Sequence, residues 1–247
     1  MNRFFTSQTL QANRAVALEA SIQKHAISVL RLREGDQIEL VGPDAQPYLA
    51  TILSSAPLHV QIDTPIARPT ELPVQVRLIC GVPKGDKADL IVQKATELGA
   101  ATISFFNSQW ATAKWAPNRV AKKLSRLQAI AQGAAEQSHR CVVPAVDVVT
   151  LNEMTKLQAD AKLIAYEESA KAGETAGLVK AIATRPHTLI AVFGPEGGLS
   201  PAEVSTLQDA GFLPVGLGPR ILRTETAPLY LLSAVSVLSE LQGEKNE

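Results

Sequence analysis

The spacing of apolar and polar residues changes its character near residue 72. Before that position, short β-rich runs alternate with turn-forming residues, a pattern typical of a small β-barrel. These runs are Gln37 to Val41, Tyr48 to Leu53 and His59 to Ile62. Pro65, Pro69 and Pro73 then interrupt a stretch with little periodicity, which we interpret as a linker. The pattern therefore predicts two domains, residues 1–72 and residues 73–247.

Beyond residue 72, apolar strands alternate with amphipathic stretches, which is the order of an α/β domain with a largely parallel sheet. The predicted strands are Val74 to Val82, Ala101 to Ser108, Lys162 to Tyr166, Thr188 to Phe193 and Phe212 to Leu217. The first helix is predicted to begin near Asp86 and to stop at Gly99, a residue typical of helix ends. The second is predicted to begin at Pro117.

The composition is that of a folded protein. The 247 residues are 46% hydrophobic, and no apolar run approaches the roughly 20 residues that a membrane span needs. The first residues lack the apolar run of a signal peptide, so we expect a cytoplasmic protein. Cys80 and Cys141 stand alone and the four histidines are scattered, so we expect neither a disulfide nor a metal site.

The formal net charge is zero, but basic residues are concentrated in two segments, 1–33 and 114–126. Such clusters are either solvated surface or binding sites for RNA phosphates, and charge alone does not decide between these interpretations. Part of the second cluster falls on one face of the predicted helix that begins at Pro117. The RNA-binding candidates are Arg3, Arg14, Lys24, Arg31, Arg33, Lys114, Arg119, Lys122, Lys123 and Arg126.

A glycine-rich loop, Gly194 to Gly198, follows the predicted strand that ends at Phe193. Ser200 and Glu203 then form the signature of a capping box that starts a helix. The loop therefore lies at the carboxyl end of a strand, the edge of an α/β sheet where ligands bind. Its glycines indicate either the close approach of a ligand or a tight turn. The chain has neither a phosphate-binding loop nor a dinucleotide fingerprint, so ATPase and dehydrogenase activities are poorly supported.

The segment from Leu217 to Ala227 places charged residues between two strongly apolar runs. Charges in such a position are costly unless they are paired or used. Thr224 is a plausible N-cap for the helix that follows, and Glu225 suits the positive end of that helix. Capping does not explain Arg223.

A third run, Gln128 to Arg140, combines small residues with polar groups at the end of the second predicted helix. Glu136, Gln137 and Arg140 are its hydrogen-bonding residues. An exposed helix end has the same pattern, so this run indicates no function by itself.

Together, the three runs closely resemble the RsmE family of bacterial 16S ribosomal RNA uridine N3-methyltransferases, in the SPOUT superfamily. Lys84 to Lys87, Gln93 to Gly99 and the amino-terminal Arg3 to Phe5 are also similar to that family, so the resemblance covers nearly the whole chain. It implies a PUA-like RNA-binding barrel followed by a parallel-sheet α/β methyltransferase domain with a trefoil knot. It also implies S-adenosyl-L-methionine as cofactor, a homodimer, and 16S ribosomal RNA or the small ribosomal subunit as partner.

The resemblance also assigns residues to the cofactor site. Those residues are Phe193, Gly194, Glu196, Gly197, Gly198, Leu217, Gly218, Ile221, Leu222 and Thr224. Because the target base sits in structured RNA, the enzyme must reach an exposed or flipped-out nucleotide. The low aromatic content of 4% argues against extensive base stacking, so we expect recognition of RNA shape and backbone.

Methyl transfer to uracil N3 requires removal of the ring proton and stabilisation of the resulting anion. Arg223 is the predicted donor to that anion, with Arg3 as the second candidate. Glu225, Glu196 or Glu136 could take the proton, although a carboxylate is a weak base unless burial raises its pKa. The catalytic candidates are Arg223, Glu225 and Arg3.

Two other interpretations stay open. A non-catalytic RNA-binding or ribosome-assembly factor would keep the barrel and the basic segments, but it would not need both carboxyl-terminal runs. An enzyme of the same fold that modifies transfer RNA or another position is the third possibility. The order of the motifs favours the ribosomal family over both.

Overall fold

The computed structural model describes residues 1–67, 70–168 and 176–241. Contacts divide the chain into two compact units. The first comprises Met1–Glu71 with Ala135–Val142, and the second comprises Leu72–Ala134 with Val143–Glu247. The sequence does not indicate that residues 135–142 belong to the first unit. They include the end of the helix Pro117–Gln137, and the rest of that helix belongs to the second unit.

The first unit is built on a single sheet. Its elements in chain order are β1 (Asn2–Phe5), β2 (Ala15–Ala17), α1 (Ala20–Gln23), a π-helical segment (Lys24–Val29), β3 (Gln37–Val41), β4 (Pro47–Ser55) and β5 (Leu58–Pro65). The five strands have the spatial order β1-β3-β4-β5-β2. The pair β1 and β3 is parallel, and the other neighbours are antiparallel.

The three strands that the sequence predicts in this unit are confirmed as β3, β4 and β5. Strands β1 and β2 are not predicted, because runs of four and three residues are too short to show an alternation. Pro65, which we assigned to the linker, is instead the last residue of β5, and Pro69 lies outside the described residues.

The side chain of Arg3 is buried in the first unit, with only 1% of its surface exposed. Its Nε lies 2.8 Å from Glu39 Oε2 on the adjacent strand, and its Nη1 donates to the carbonyl oxygens of His139 and Arg140. Burial by itself would raise the pKa of Glu39, but hydrogen bonds from His139 and Arg3 outweigh it and lower that pKa. Arg3 therefore fastens the first strand to residues 139–140.

The second unit alternates strands and helices, as the sequence predicts. Its elements are β6 (Gln75–Gly81), α2 (Lys87–Glu97), β7 (Thr102–Phe106), α3 (Pro117–Gln137), β8 (Ala145–Val148), α4 (Leu151–Met154), β9 (Ala161–Ala165), α5 (Gly177–Ala183), β10 (Thr188–Phe193), α6 (Pro201–Asp209), β11 (Leu213–Val215) and α7 (Thr226–Glu240). The six strands form a parallel sheet with the order β11-β9-β10-β6-β7-β8.

The five strands predicted for this unit are confirmed as β6, β7, β9, β10 and β11, with shorter ends than predicted for most of them. Strand β8 is missed, because its four residues include an aspartate and only one of them is buried. Both predicted helices are confirmed, α2 ending just before Gly99 and α3 beginning at Pro117. None of the helices within the described residues is long and apolar enough to cross a membrane.

Parallel pairing places the carboxyl ends of β6, β9, β10 and β11 at one edge of the sheet. The segments that follow these strands contain the glycine-rich loop and the Leu217 to Ala227 run. Beyond the glycine loop, the predicted capping box is confirmed: Glu203 N donates to Ser200 Oγ, and the Glu203 carboxylate accepts from Ser200 N. This cap fixes the residue at which the glycine-rich loop ends and helix α6 begins.

Replacing Arg3 tests whether its contacts are structural. In Arg3→Ala the carboxylate of Glu39, with 15% of its side chain exposed, would lose its guanidinium partner. We expect the free energy of unfolding to fall by about 3 kcal/mol, because removal of one partner leaves a charge partly buried and poorly compensated. Urea denaturation would measure the change.

The matched control is Arg14→Ala, which removes an exposed cation from the same unit. It should change the free energy of unfolding by no more than about 0.5 kcal/mol. Equal stability of the two variants would contradict the structural role of Arg3.

Candidate functional site

A half-open cavity of about 200 Å³ lies where β9 and β11 end. Its walls come from the residues after β9 and from the loop between β11 and α7. The lining residues are Ala165, Tyr166, Glu167, Leu217, Gly218, Pro219, Arg220, Ile221, Leu222 and Ala227. The carboxyl edge of a parallel sheet is the usual place for a ligand in this class of fold. The position and lining make this cavity the candidate ligand site of the second unit.

The wall formed by residues 217–222 is apolar except for Arg220, and residues 219–221 are exposed. Ile221 has 77% of its surface exposed, although it belongs to the types that folding normally buries. Leu217 and Leu222 are half-buried beside it. An apolar wall with backbone polar groups suits a ligand that combines an aromatic ring with hydrogen-bonding atoms. The residues present therefore fit a nucleoside such as the adenosine part of S-adenosylmethionine.

The glycine-rich loop forms a tight turn, which is one of the two interpretations left open by the sequence. Gly198 has φ +75°, and its N–H donates to the Pro195 carbonyl oxygen at 2.8 Å. A Cβ atom on Gly197 would come within 2.6 Å of the carbonyl oxygen of Trp110. The glycines at 197 and 198 are thus explained within the chain itself.

Thr224 connects the glycine loop to the cavity segment. Its Oγ1 donates to the carbonyl oxygen of Gly194 over 3.2 Å. The N-cap of α7 is Glu225, so the prediction that Thr224 caps this helix is wrong. The hydroxyl instead joins two segments that lie 30 residues apart in the chain.

Lys87 forms a second connection at the same edge. Its Nζ lies 2.9 Å from Glu196 Oε1 in the glycine loop and 3.1 Å from Glu225 Oε2 at the start of α7. The backbone N–H of Lys84 also donates to Glu196 Oε1. We refer to Lys87, Glu196 and Glu225 as the lysine clasp. It joins the segments that follow β6, β10 and β11.

The clasp changes the acid–base properties of its members. Hydrogen bonds from Glu196 and Glu225 raise the pKa of Lys87. Burial tends to raise the pKa of each glutamate, but hydrogen bonding, with Lys87 as one donor, outweighs it and lowers both values. A carboxylate with a lowered pKa is a weaker base, so the clasp makes Glu196 and Glu225 poor proton acceptors.

Arg223 is exposed at the beginning of the turn that leads into α7. Its carbonyl oxygen accepts from Thr226 N at 2.8 Å and from Ala227 N at 3.0 Å, which fixes its backbone. Within the described residues, no hydrogen bond or ion pair of its guanidinium is observed, although its positive charge acts on the neighbouring Glu225 carboxylate. A fixed backbone with an exposed guanidinium is an arrangement that suits contact with a ligand.

The cofactor residues predicted from the sequence fall into two groups. Leu217, Gly218, Ile221 and Leu222 line the cavity. The others stand in or beside the glycine loop and do not line it: Phe193, Gly194, Glu196, Gly197, Gly198 and Thr224. The sequence reasoning missed Ala165 to Glu167, although the carboxyl end of the predicted strand at 162–166 was an available signal.

The predicted RNA-binding cations are mostly exposed. Those at the surface are Arg14, Lys24, Arg31, Arg33, Lys114, Arg119, Lys122 and Arg126. Lys123 lies over the ring of Trp115 at 5.3 Å from its centroid, and Arg126 pairs with Asp89 at 2.6 Å. Arg3 differs, because its guanidinium is buried and its Nε and Nη1 already donate within the first unit. A catalytic or RNA-binding role for Arg3 stays a prediction that requires those contacts to break.

The third run is committed to packing rather than to the cavity. Arg140 is buried and pairs with Glu71 in the first unit. Gln128 accepts from Val146 N and donates to the Pro144 carbonyl oxygen, both at 3.0 Å, in the second unit. Among the described residues, no group of His, Cys, Asp and Glu side chains could hold a metal ion.

Two domain families match the chain. The RNA methyltransferase domain matches residues 70–236, and the RNA methyltransferase PUA domain matches residues 18–64. These matches confirm the predicted RNA methyltransferase family and its order of domains, a PUA domain followed by a parallel-sheet α/β methyltransferase domain. The trefoil knot stays a prediction.

Named relatives and solved structures resemble the chain over almost its full length. A crystal structure of ribosomal RNA small subunit methyltransferase E from Neisseria gonorrhoeae, bound to S-adenosyl methionine, is 30% identical with a TM-score of 0.83, covering 96% of this chain and 98% of that one. A putative methyltransferase from Legionella pneumophila, in complex with the same cofactor, is 28% identical with a TM-score of 0.82, covering 95% and 96%.

The ribosomal RNA small subunit methyltransferase E of Bacillus subtilis is 38% identical to this chain over 98% of both sequences. With the RNA methyltransferase domain matched over two thirds of its length as well, the chain belongs to the ribosomal RNA small subunit methyltransferase E family.

Proposed function

We propose that this protein transfers the methyl group of S-adenosylmethionine to N3 of a specific uridine in the 16S ribosomal RNA of the small ribosomal subunit. The observation that carries the proposal is the cavity wall at residues 217–222, in a chain that belongs to this family. A hydrogen bond from Thr224 to Gly194 joins this segment to the glycine loop. The cofactor bound to the Neisseria and Legionella proteins supports the same assignment.

The cavity residues would hold the cofactor mainly by shape. Leu217, Ile221 and Leu222 offer apolar surface for a purine ring, and the backbone around Gly218 offers donors and acceptors. The cavity is smaller than the roughly 300–1,000 Å³ typical of small-molecule sites, so part of the ligand would reach past it towards the glycine loop. When bound, the cofactor supplies an electrophilic methyl group on a sulfonium.

Arg223 would stabilise the uracil anion. Removal of the N3 proton spreads negative charge over the two ring carbonyl oxygens, and a guanidinium aimed at one of them favours that state. The backbone of Arg223 is fixed and its guanidinium is exposed, so it can reach a substrate without breaking a hydrogen bond of the described residues. Glu196 and Glu225 would remain paired with Lys87 and would not take the proton, because their pKa values are lowered.

The basic segments would hold the phosphates of the substrate. Arg14 to Arg33 and Lys114 to Arg126 supply exposed cations in the first and second predicted domains, 1–72 and 73–247. Contacts with phosphates make binding sensitive to salt. The homodimer and the knot in the second domain follow from the family resemblance and belong to this proposal, and so does the cytoplasmic location that a ribosomal RNA substrate requires.

Methyl transfer is the test of the proposed function. The labelled methyl group of S-adenosylmethionine should appear at uracil N3 when the protein is incubated with small ribosomal subunits that lack this methylation. Arg223→Ala should reduce the rate by about 10²–10³-fold, the usual effect of removing one donor to a developing anion. Cofactor affinity should stay unchanged, because the cavity lining keeps its shape.

Arg185→Ala is the control, because it removes an exposed cation just before the amino end of β10, at the opposite edge of the sheet. It should leave the rate unchanged. No transfer to subunits or naked ribosomal RNA by the folded wild-type protein would refute the proposal and favour an assembly factor. Transfer to transfer RNA alone would favour the third interpretation.

A second prediction concerns the cavity wall. Ile221→Ala should weaken S-adenosylmethionine binding by about 5–10-fold in calorimetric titration, because less apolar surface is covered on binding. Its unfolding midpoint should not move, since the side chain is 77% exposed. Val179→Ala removes another exposed apolar side chain and serves as the control. Wild-type affinity in Ile221→Ala would place the cofactor elsewhere.

A further inference from the structure

The indole ring of Trp110 is half-exposed in the second unit, with 49% of the residue surface open to solvent. Trp115 contrasts with it, since it is buried and packs on Phe105 with 4.9 Å between the ring centroids. Single exposed apolar residues are common and need no special explanation. The position of Trp110 is what distinguishes it.

Trp110 lies directly beside the glycine loop. A Cβ on Gly197 would approach the Trp110 carbonyl oxygen to 2.6 Å and the Trp110 Cβ to 3.5 Å, so the two backbones are in contact. Strand β7 ends four residues earlier, at the same edge of the sheet as β10. The ring therefore stands at the edge that carries the cofactor residues, although it does not line the cavity.

The segment that carries Trp110 is held on both sides. Glu203 accepts from Gln109 N at 2.9 Å and from Ser108 Oγ at 3.1 Å. On the other side, Asn107 donates to the carbonyl oxygen of Trp115 at 3.1 Å and accepts from its N–H at 2.9 Å. An exposed ring on a segment fixed in this way loses little freedom when it binds a flat partner.

We propose that the face of the Trp110 indole stacks on a base of the RNA substrate beside the methylation site, an inference that rests on the proposed function. Aromatic rings stack on any base, which anchors single-stranded RNA without reading its sequence. Four residues later the basic segment 114–126 begins, with five cations and no acid. This charge favours a polyanion as the occupant and modifies the expectation that aromatic stacking plays little part.

Trp110→Ala tests the proposal through two separate affinities. Binding of unmethylated small ribosomal subunits should weaken about tenfold, within the roughly 5–150-fold range for loss of one stacked base. Binding of S-adenosylmethionine should stay unchanged, since the Trp110 atoms nearest to Gly197 are its carbonyl group and Cβ, which alanine keeps. Trp110→Phe keeps an aromatic face and should restore subunit binding to within about threefold of wild type.

Leu213→Ala is the matched control, because it removes an exposed apolar side chain, 63% open, at the amino end of β11. It should change neither affinity. Wild-type subunit binding in Trp110→Ala would overturn the stacking proposal, and so would a loss of cofactor affinity, which would make the ring a support for the glycine loop. Failure of the wild-type protein to methylate subunits would instead refute the proposed function.

Discussion

The ammonium group of Lys87 connects two carboxylates that the chain brings from distant places. Glu196 is 109 residues away in sequence and belongs to the glycine loop, and Glu225 opens the last helix. An isolated exposed ion pair contributes little to stability. Here three partly buried groups form one network, with side-chain exposures of 28%, 26% and 16%, so each charge is less screened by water. Together with the Thr224 hydrogen bond, this network connects the glycine loop to the segment that carries the candidate cavity wall and Arg223.

The parallel sheet makes that network possible. Because every strand of the second unit runs in the same direction, the segments after β6, β10 and β11 emerge at one edge, and short side chains can join them. Thr224 adds a hydrogen bond to the backbone of Gly194 beside the clasp. The candidate site residues therefore lie mainly on the loops at this edge, while the buried side chains of the strands form much of the core.

Much of this architecture follows from the sequence. Apolar periodicity predicts β3, β4, β5 and most strands of the parallel sheet, and the capping box at Ser200 marks the start of α6 correctly. Four residues of the cavity wall, Leu217, Gly218, Ile221 and Leu222, are predicted as well, but only through the family resemblance. Strand β8 is missed, because four residues with one buried side chain give no periodic signal.

What the sequence does not predict is pairing between distant residues. Arg3 looks like a free cation in a basic segment, but tertiary contacts bury it against Glu39. Thr224 has the local signature of an N-cap, yet its hydroxyl finds a partner 30 residues away. Lys87 has no local feature that would connect it to Glu196 or Glu225. Local patterns report turns and caps, whereas the choice of long-range partner depends on the folded sheet.

The most direct test of this account is the affinity for S-adenosylmethionine when the clasp is opened. Lys87→Met keeps the length of the side chain and removes its charge. Lys94→Met makes the same change seven residues further along α2, about two turns away. Among the described residues, Lys94 pairs with Glu97 of its own helix and takes no part in the clasp. Calorimetric titration should give a dissociation constant about 5–10-fold higher for Lys87→Met and unchanged for Lys94→Met. The increase corresponds to about 1 kcal/mol of binding free energy, lost because the loops are less ordered. Wild-type affinity in Lys87→Met would show that the cofactor site forms without the clasp.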